Sequence, residues 1–159
     1  MPDGKSPRAY PTAKALKIVH PAAGIVAMLT IAAFWLMTAV SELFGSAATV
    51  IAVKTAIPWA LLLLIPALIA TGGSGFVLSG GRKAGLVGAK MRRMPLIAGN
   101  GVLILVPAAL FLAFKARTGA FDTAFYAVQA LELLAGAANL ALLALNMRDG
   151  LRMTGRLRR

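Results

Sequence analysis

No cysteine occurs in this chain, and histidine occurs only once. The first absence removes disulfides, thiolate metal centres, iron–sulfur clusters and covalently attached c-type haem. The second removes a conventional histidine-rich metal site within one protomer. Acid is also scarce: five Asp and Glu stand against 17 Lys and Arg, a formal net charge of +12 at pH 7. Long polar stretches are missing too, because 59% of the residues are hydrophobic and the mean hydropathy is +0.80. No nucleophile–base pair, phosphate loop or metal box can be assembled from what remains, so soluble-enzyme chemistry is not expected.

What is present comes in runs. Ile18 to Ser41, Thr55 to Gly81, Met94 to Phe114 and Thr123 to Met147 are uncharged or nearly so. Each reaches at least about 20 residues, enough for an α-helix to cross roughly 30 Å of hydrocarbon. The expected fold is all-α: a polytopic membrane protein with four spans, near 18–41, 47–70, 94–116 and 123–147. This four-helix domain (14–147) lies between a Pro-rich tail (1–13) and a basic tail (148–159). The first run is too long for a signal-peptide core, and three more spans follow it. No internal repeat stands out.

The cations alternate along the chain. Lys5, Arg8, Lys14 and Lys17 precede the first span; Arg82, Lys83, Lys90, Arg92 and Arg93 separate the second from the third. Arg148, Arg152, Arg156, Arg158 and Arg159 follow the fourth, whereas the other two connections hold only Lys54, Lys115 and Arg117. The positive-inside rule then predicts both termini in the cytoplasm of a bacterial-type inner membrane. The basic segments meet anionic headgroups there, which accounts for the net charge without nucleic acid.

Polar groups inside the spans are the candidates for function. Gln129, Glu132, Gly136, Asn139, Leu143 and Asn146 recur at steps of three and four, and form one stripe on a helix. Such a stripe must face protein, water or a cofactor and not lipid. With a second helix starting near Ala47, Lys54 lies about two turns from the outer surface, at roughly the depth of Glu132. An ion pair between them makes both charges tolerable, with Glu42 as a competing partner for Lys54 and simple snorkelling as the alternative. Nearer the cytoplasm the same reckoning gathers His20, Asn100, Asn139, Asn146, Arg92, Arg93 and Arg148. Interhelical amide bonding that sets helix register is the simplest role for the asparagines.

On the first helix His20, Gly24, Ala27, Ile31, Phe34, Thr38 and Ser41 share a face. A neutral imidazole can ligate haem iron, given apolar walls and cations for the propionates. The segment Lys17-Ile18-Val19-His20-Pro21-Ala22-Ala23-Gly24 resembles the start of the first helix in cytochrome b561-like four-helix membrane cytochromes. That resemblance rests on one short motif and the four-span layout. It implies b-type haem, electron exchange with quinone, and His20 as axial ligand. Arg92, Arg93 and Arg148 are then expected to hold propionates, while Asn100 and Asn139 line the inner cavity. The chain departs from the family in having one histidine. The missing ligand is a methionine (Met28, Met91, Met94 or Met147), a vacant position, or His20 of a second copy in a homodimer. Electron transfer or haem sensing is therefore the first functional expectation. A small proton-coupled transporter using Glu132 is the second, and an accessory subunit of a larger membrane complex is the third.

Overall fold

The computed structural model describes residues 11–82 and 84–155 of the chain. The tail cations Lys5 and Arg8, together with Lys83, Arg156, Arg158 and Arg159, lie outside the described residues. The first helix, α1 (Pro11–Phe44), opens on a proline, whose missing N–H costs nothing in a first turn. His20 and Pro21 thus sit well inside a helix, not at the start of one. Gly45 and Ser46 form the turn into α2 (Ala47–Ser79), where the Ser46 hydroxyl accepts from the Thr49 N–H at 3.3 Å.

Gly72, Gly73 and Gly75 lie beyond the expected end of the second span near residue 70, yet they remain helical. Termination comes only at Gly80, which takes the left-handed conformation (φ +55°) favourable to glycine. In an apolar setting every backbone polar group needs a partner, and continuing the helix supplies one at each residue. Two of these glycines also admit side chains from neighbouring helices, described below.

A third helix was expected to open at Met94 and Pro95, but α3 (Gly85–Asn100) starts nine residues earlier, so Lys90, Arg92 and Arg93 are helical. It packs against the last helix over this stretch. After Asn100 one wide turn (Gly101–Leu105) leads into α4 (Val106–Arg117), making one continuous rod of 33 residues. Pro107 explains the wide turn. It has no N–H to offer the Leu103 carbonyl, and its ring crowds that group. The Val106 N–H instead reaches back five residues to the Gly101 carbonyl.

The last helix, α5 (Thr123–Met153), is capped by Asp122, whose Oδ1 accepts from the Phe125 N–H at 3.0 Å. It runs six residues past Met147, carrying Arg148 and Asp149 on the helix and not in a tail. Two apolar clusters hold the bundle: Ala27, Ile31, Leu61, Leu64 and Ala67, then Val50, Leu112, Ala116 and Phe125. Outward-facing Leu43, Trp59, Leu103 and Leu134 are 70% exposed or more, which suits contact with acyl chains. All four helical rods are long and apolar enough to cross a membrane, and together they define a multi-pass helical bundle.

At the loop end Lys115 Nζ lies 2.5 Å from Asp122 Oδ2. That hydrogen bond, with the Phe125 N–H, holds the Asp122 carboxyl below its ordinary range. A depressed carboxyl contributes stability at pH values above its unfolded range and loses it as pH falls through the folded value. Asp122→Asn should therefore flatten the acid limb of a melting-temperature profile below about pH 4. The effect at pH 7 should be small because the pair is exposed.

Candidate functional site

The stripe on α5 faces inward. Gln129, Gly136, Asn139 and Asn146 are all buried, and the side chain of Glu132 is only 12% exposed. Opposite it on α2, Lys54 is completely buried. Lys54 Nζ lies 2.5 Å from Glu132 Oε2 and 3.5 Å from the Thr38 hydroxyl of α1. Gln129 Nε2 approaches the same carboxylate oxygen at 3.5 Å. Glu42 makes no ion pair with Lys54 among the described residues, yet it lies one helical turn beyond Thr38, whose hydroxyl Lys54 reaches. Its Oε1 is buried without a hydrogen-bond partner, as is Gln129 Oε1. Three helices thus contribute two carboxylates and one ammonium to a single layer. The buried residues of α4 are all small or apolar: Ala108, Ala109, Leu112, Ala113 and Ala116.

Below this layer lies a cavity of about 420 Å³, within the range of small-molecule sites. Its walls are almost entirely apolar, with residues from all four rods. Glu132, Thr38 and Asn139 are the polar side chains on it, beside the aromatic rings of Phe34 and Trp35. Asn139 is 1% exposed and its Oδ1 has no hydrogen-bond partner. Trp35 is anchored: its Nε1 donates to the Leu133 carbonyl at 2.9 Å. The ring passes over Gly136, where an added Cβ would stand 2.9 Å from Trp35 Cδ1. Glycine is required there for a close approach. Asn100, in contrast, turns to the backbone and donates to the Ala135 carbonyl at 2.8 Å.

The cavity is open on one flank. α2 packs closely against α1 and α4 but scarcely touches α3. Ile65 and Ile69 on α2 and Val102 on the wide turn line the cavity and are nevertheless exposed. The mouth therefore points sideways, between helices, and not along the bundle axis.

A second polar cluster closes the basic end. Arg93 donates to Asp149 Oδ2 at 2.6 Å and to Asn146 Oδ1 at 3.3 Å. Asn146 Nδ2 in turn approaches the Met94 sulfur at 3.7 Å, and Arg148 Nε lies 3.6 Å from Asp149 Oδ1. Lys90 arches over Gly150. Asp149, 2% exposed, is the residue that sequence reasoning missed. Its signal was present: it falls three residues beyond Asn146 and continues the stripe.

His20 belongs to neither cluster. Its Nδ1 lies 3.1 Å from the Thr71 carbonyl and 3.0 Å from the Ser74 hydroxyl of α2. A carbonyl only accepts, so this contact assigns the ring proton to Nδ1 and leaves the lone pair on Nε2. The imidazole packs against Gly75, where an added Cβ would come within 2.9 Å of Cε1. At Gly24, one turn along the same face, an added Cβ would meet only Thr71 at 3.6 Å, an ordinary contact.

The residues expected to surround a haem are therefore dispersed. Of that set Asn139 lines the cavity, whereas His20, Gly24, Asn100, Arg92, Arg93 and Arg148 do not. Arg93 and Arg148 are engaged with Asp149, and Arg92 is exposed. The tautomer of His20 suits an axial ligand, but His20 does not line the apolar cavity. Comparison with protein-family models, with curated proteins and with solved structures finds no match for this chain.

Proposed function

We propose that this protein is a small proton-coupled membrane transporter in which Glu132 carries the exchangeable charge. The observation that carries this reading is the layer of Glu42, Lys54 and Glu132, whose last member stands at the polar end of an apolar cavity. In a medium of low dielectric, net charge is expensive. Two ionised carboxylates and one ammonium sum to −1, so the layer reaches neutrality by taking up one further positive charge. A proton on either carboxyl supplies it. A cationic substrate at Glu132 supplies it equally well. The two compete for one vacancy, so substrate binding expels a proton and substrate release readmits one. Lys54 does not block this cycle, since it offsets only one of the two acids. Thr38 and Glu42, one turn apart on α1, offer its ammonium an alternative set of acceptors.

The basic connections and ends support an orientation with both termini in the cytoplasm of a bacterial-type inner membrane. In reconstituted vesicles carrying a pH-sensitive dye, organic cations added outside should drive proton movement. Glu132→Gln should abolish that signal, while Asp122→Asn should leave it intact. A variant Glu132→Gln that still moves protons at the original rate would sink the reading.

His20 favours a second reading. With Nδ1 held on α2 and Nε2 free, two copies of the chain meeting at this face would present a pair of imidazoles to one b-type haem. Protein expressed with ample haem should then show a Soret band that His20→Ala removes. A colourless protein under those conditions excludes it.

A further inference from the structure

The cavity has features that go beyond the proton site and bear on what is carried. Its α5 wall holds a carboxylate, Glu132, and an amide, Asn139, whose buried Oδ1 has no hydrogen-bond partner among the described residues. Leaving a buried amide unpaired costs free energy that a ligand could recover. The two residues lie seven positions apart on α5, roughly 10 Å along the axis, so they address opposite ends of an elongated molecule. Between them the wall is apolar and includes the Phe34 and Trp35 rings, which tolerate a cation at their faces. Once ionised, Glu132 only accepts hydrogen bonds, and the charge layer then has room for one positive group.

From these observations we propose that the cavity binds a lipophilic organic amine in its protonated form. It enters sideways past Ile69 and Val102, sets its ammonium against Glu132, and places a second polar group at Asn139. This rests on the transport reading for the exchange with a proton, whereas the site itself stands on the cavity. No bond is made or broken: the amine arrives charged, and the carboxyl proton of the layer leaves to solvent.

Trp35 makes the site observable. The chain has two tryptophans, and Trp59 is 70% exposed on the outside of the bundle. Trp59→Phe therefore leaves Trp35 as the sole reporter, on the cavity wall. The purified full chain in detergent is titrated with a nitroxide-labelled primary alkylamine, and with its hydroxyl and quaternary ammonium analogues. Saturable quenching by the amine is expected, with release of about one proton per site in weak buffer. The hydroxyl and quaternary analogues should bind about tenfold more weakly or less, since each lacks the charge or the donor.

Asn139→Leu and Val102→Trp both leave the ion-pair layer intact, so each should fold. Val102→Trp adds an indole at the mouth, and its own emission is separated by difference against the unliganded variant. Each should weaken amine binding about tenfold. Equal quenching by amine and alcohol would mark the cavity as a slot for acyl chains and overturn the proposal. So would binding unchanged in both variants. Amine binding without proton-linked flux in vesicles would leave this site standing and remove the transport reading. Flux of another cation without amine binding would do the reverse.

Discussion

Replacing Glu132 by glutamine is expected to destabilise the bundle more than replacing Glu132 and Lys54 together. Lys54 is wholly buried, and its ammonium has Glu132 as its one ion-pair partner among the described residues. Removing Glu132 takes away the one carboxylate in direct contact with that ammonium and leaves it only Thr38 and the more distant Glu42, a loss of at most the roughly 3–5 kcal/mol of a broken buried pair. Removing both, as Lys54→Met with Glu132→Gln, eliminates the two paired charges and their desolvation cost together and leaves Glu42 to neutralise itself by taking up a proton. The double-mutant cycle should therefore show a coupling of about 1–3 kcal/mol. Melting temperatures of the four solubilised proteins measure it directly. Additive losses would mean that Lys54 and Glu132 do not act as a pair. Lys54→Met should be the milder single change, because a buried carboxyl can neutralise itself by taking up a proton.

The second large effect is expected at Gly136. Gly136→Ala adds only a Cβ, but that atom would meet Trp35 Cδ1 at 2.9 Å. A tryptophan ring is not the flexible end of a long side chain, and this one is fixed by its bond to the Leu133 carbonyl. Either the ring turns and that bond breaks, or α1 and α5 separate. Overpacking of this kind costs typically about 1–3 kcal/mol. Gly99→Ala is the control, since nothing lies within 4 Å of the added atom. It should be neutral or slightly stabilising, because alanine is the better helix former. In the Trp59→Phe background, a shift of Trp35 emission in Gly136→Ala and none in Gly99→Ala is the expected outcome. Equal emission and equal melting temperatures in the two variants would show that Trp35 does not rest on Gly136.

Part of this site was legible from residue spacing. A carboxylate and amides at steps of three and four in an apolar run must turn away from lipid, whatever the rest of the chain does. Lys54 and Glu132 could be set at one depth because helical rise converts residue number into distance. The glycines misled for a related reason. Gly72, Gly73 and Gly75 carry a strong breaking tendency in water, but neighbouring helices use two of them, for the Met94 methyl near Gly72 and the His20 ring at Gly75. The early end assigned to the fourth span hid Asp149, since Arg148 beside it reads as the start of a tail. The dispersal of the haem candidates has a different origin. Depth along a helix follows from residue number, whereas the direction in which a residue points around the axis depends on which helix stands beside it.

The apolar runs and their alternating cations determined, without any coordinates, that the chain makes four membrane-length helices with its polar groups sequestered. Length and hydropathy act locally, and each span satisfies its own backbone. Only the tertiary structure decided that α2 stands apart from α3, that Pro107 widens the rod beside that gap, and that Glu132 and Asn139 share one cavity while His20 lies outside it. These features depend on how the helices rotate and separate, and that is set by side-chain packing between segments far apart in the chain.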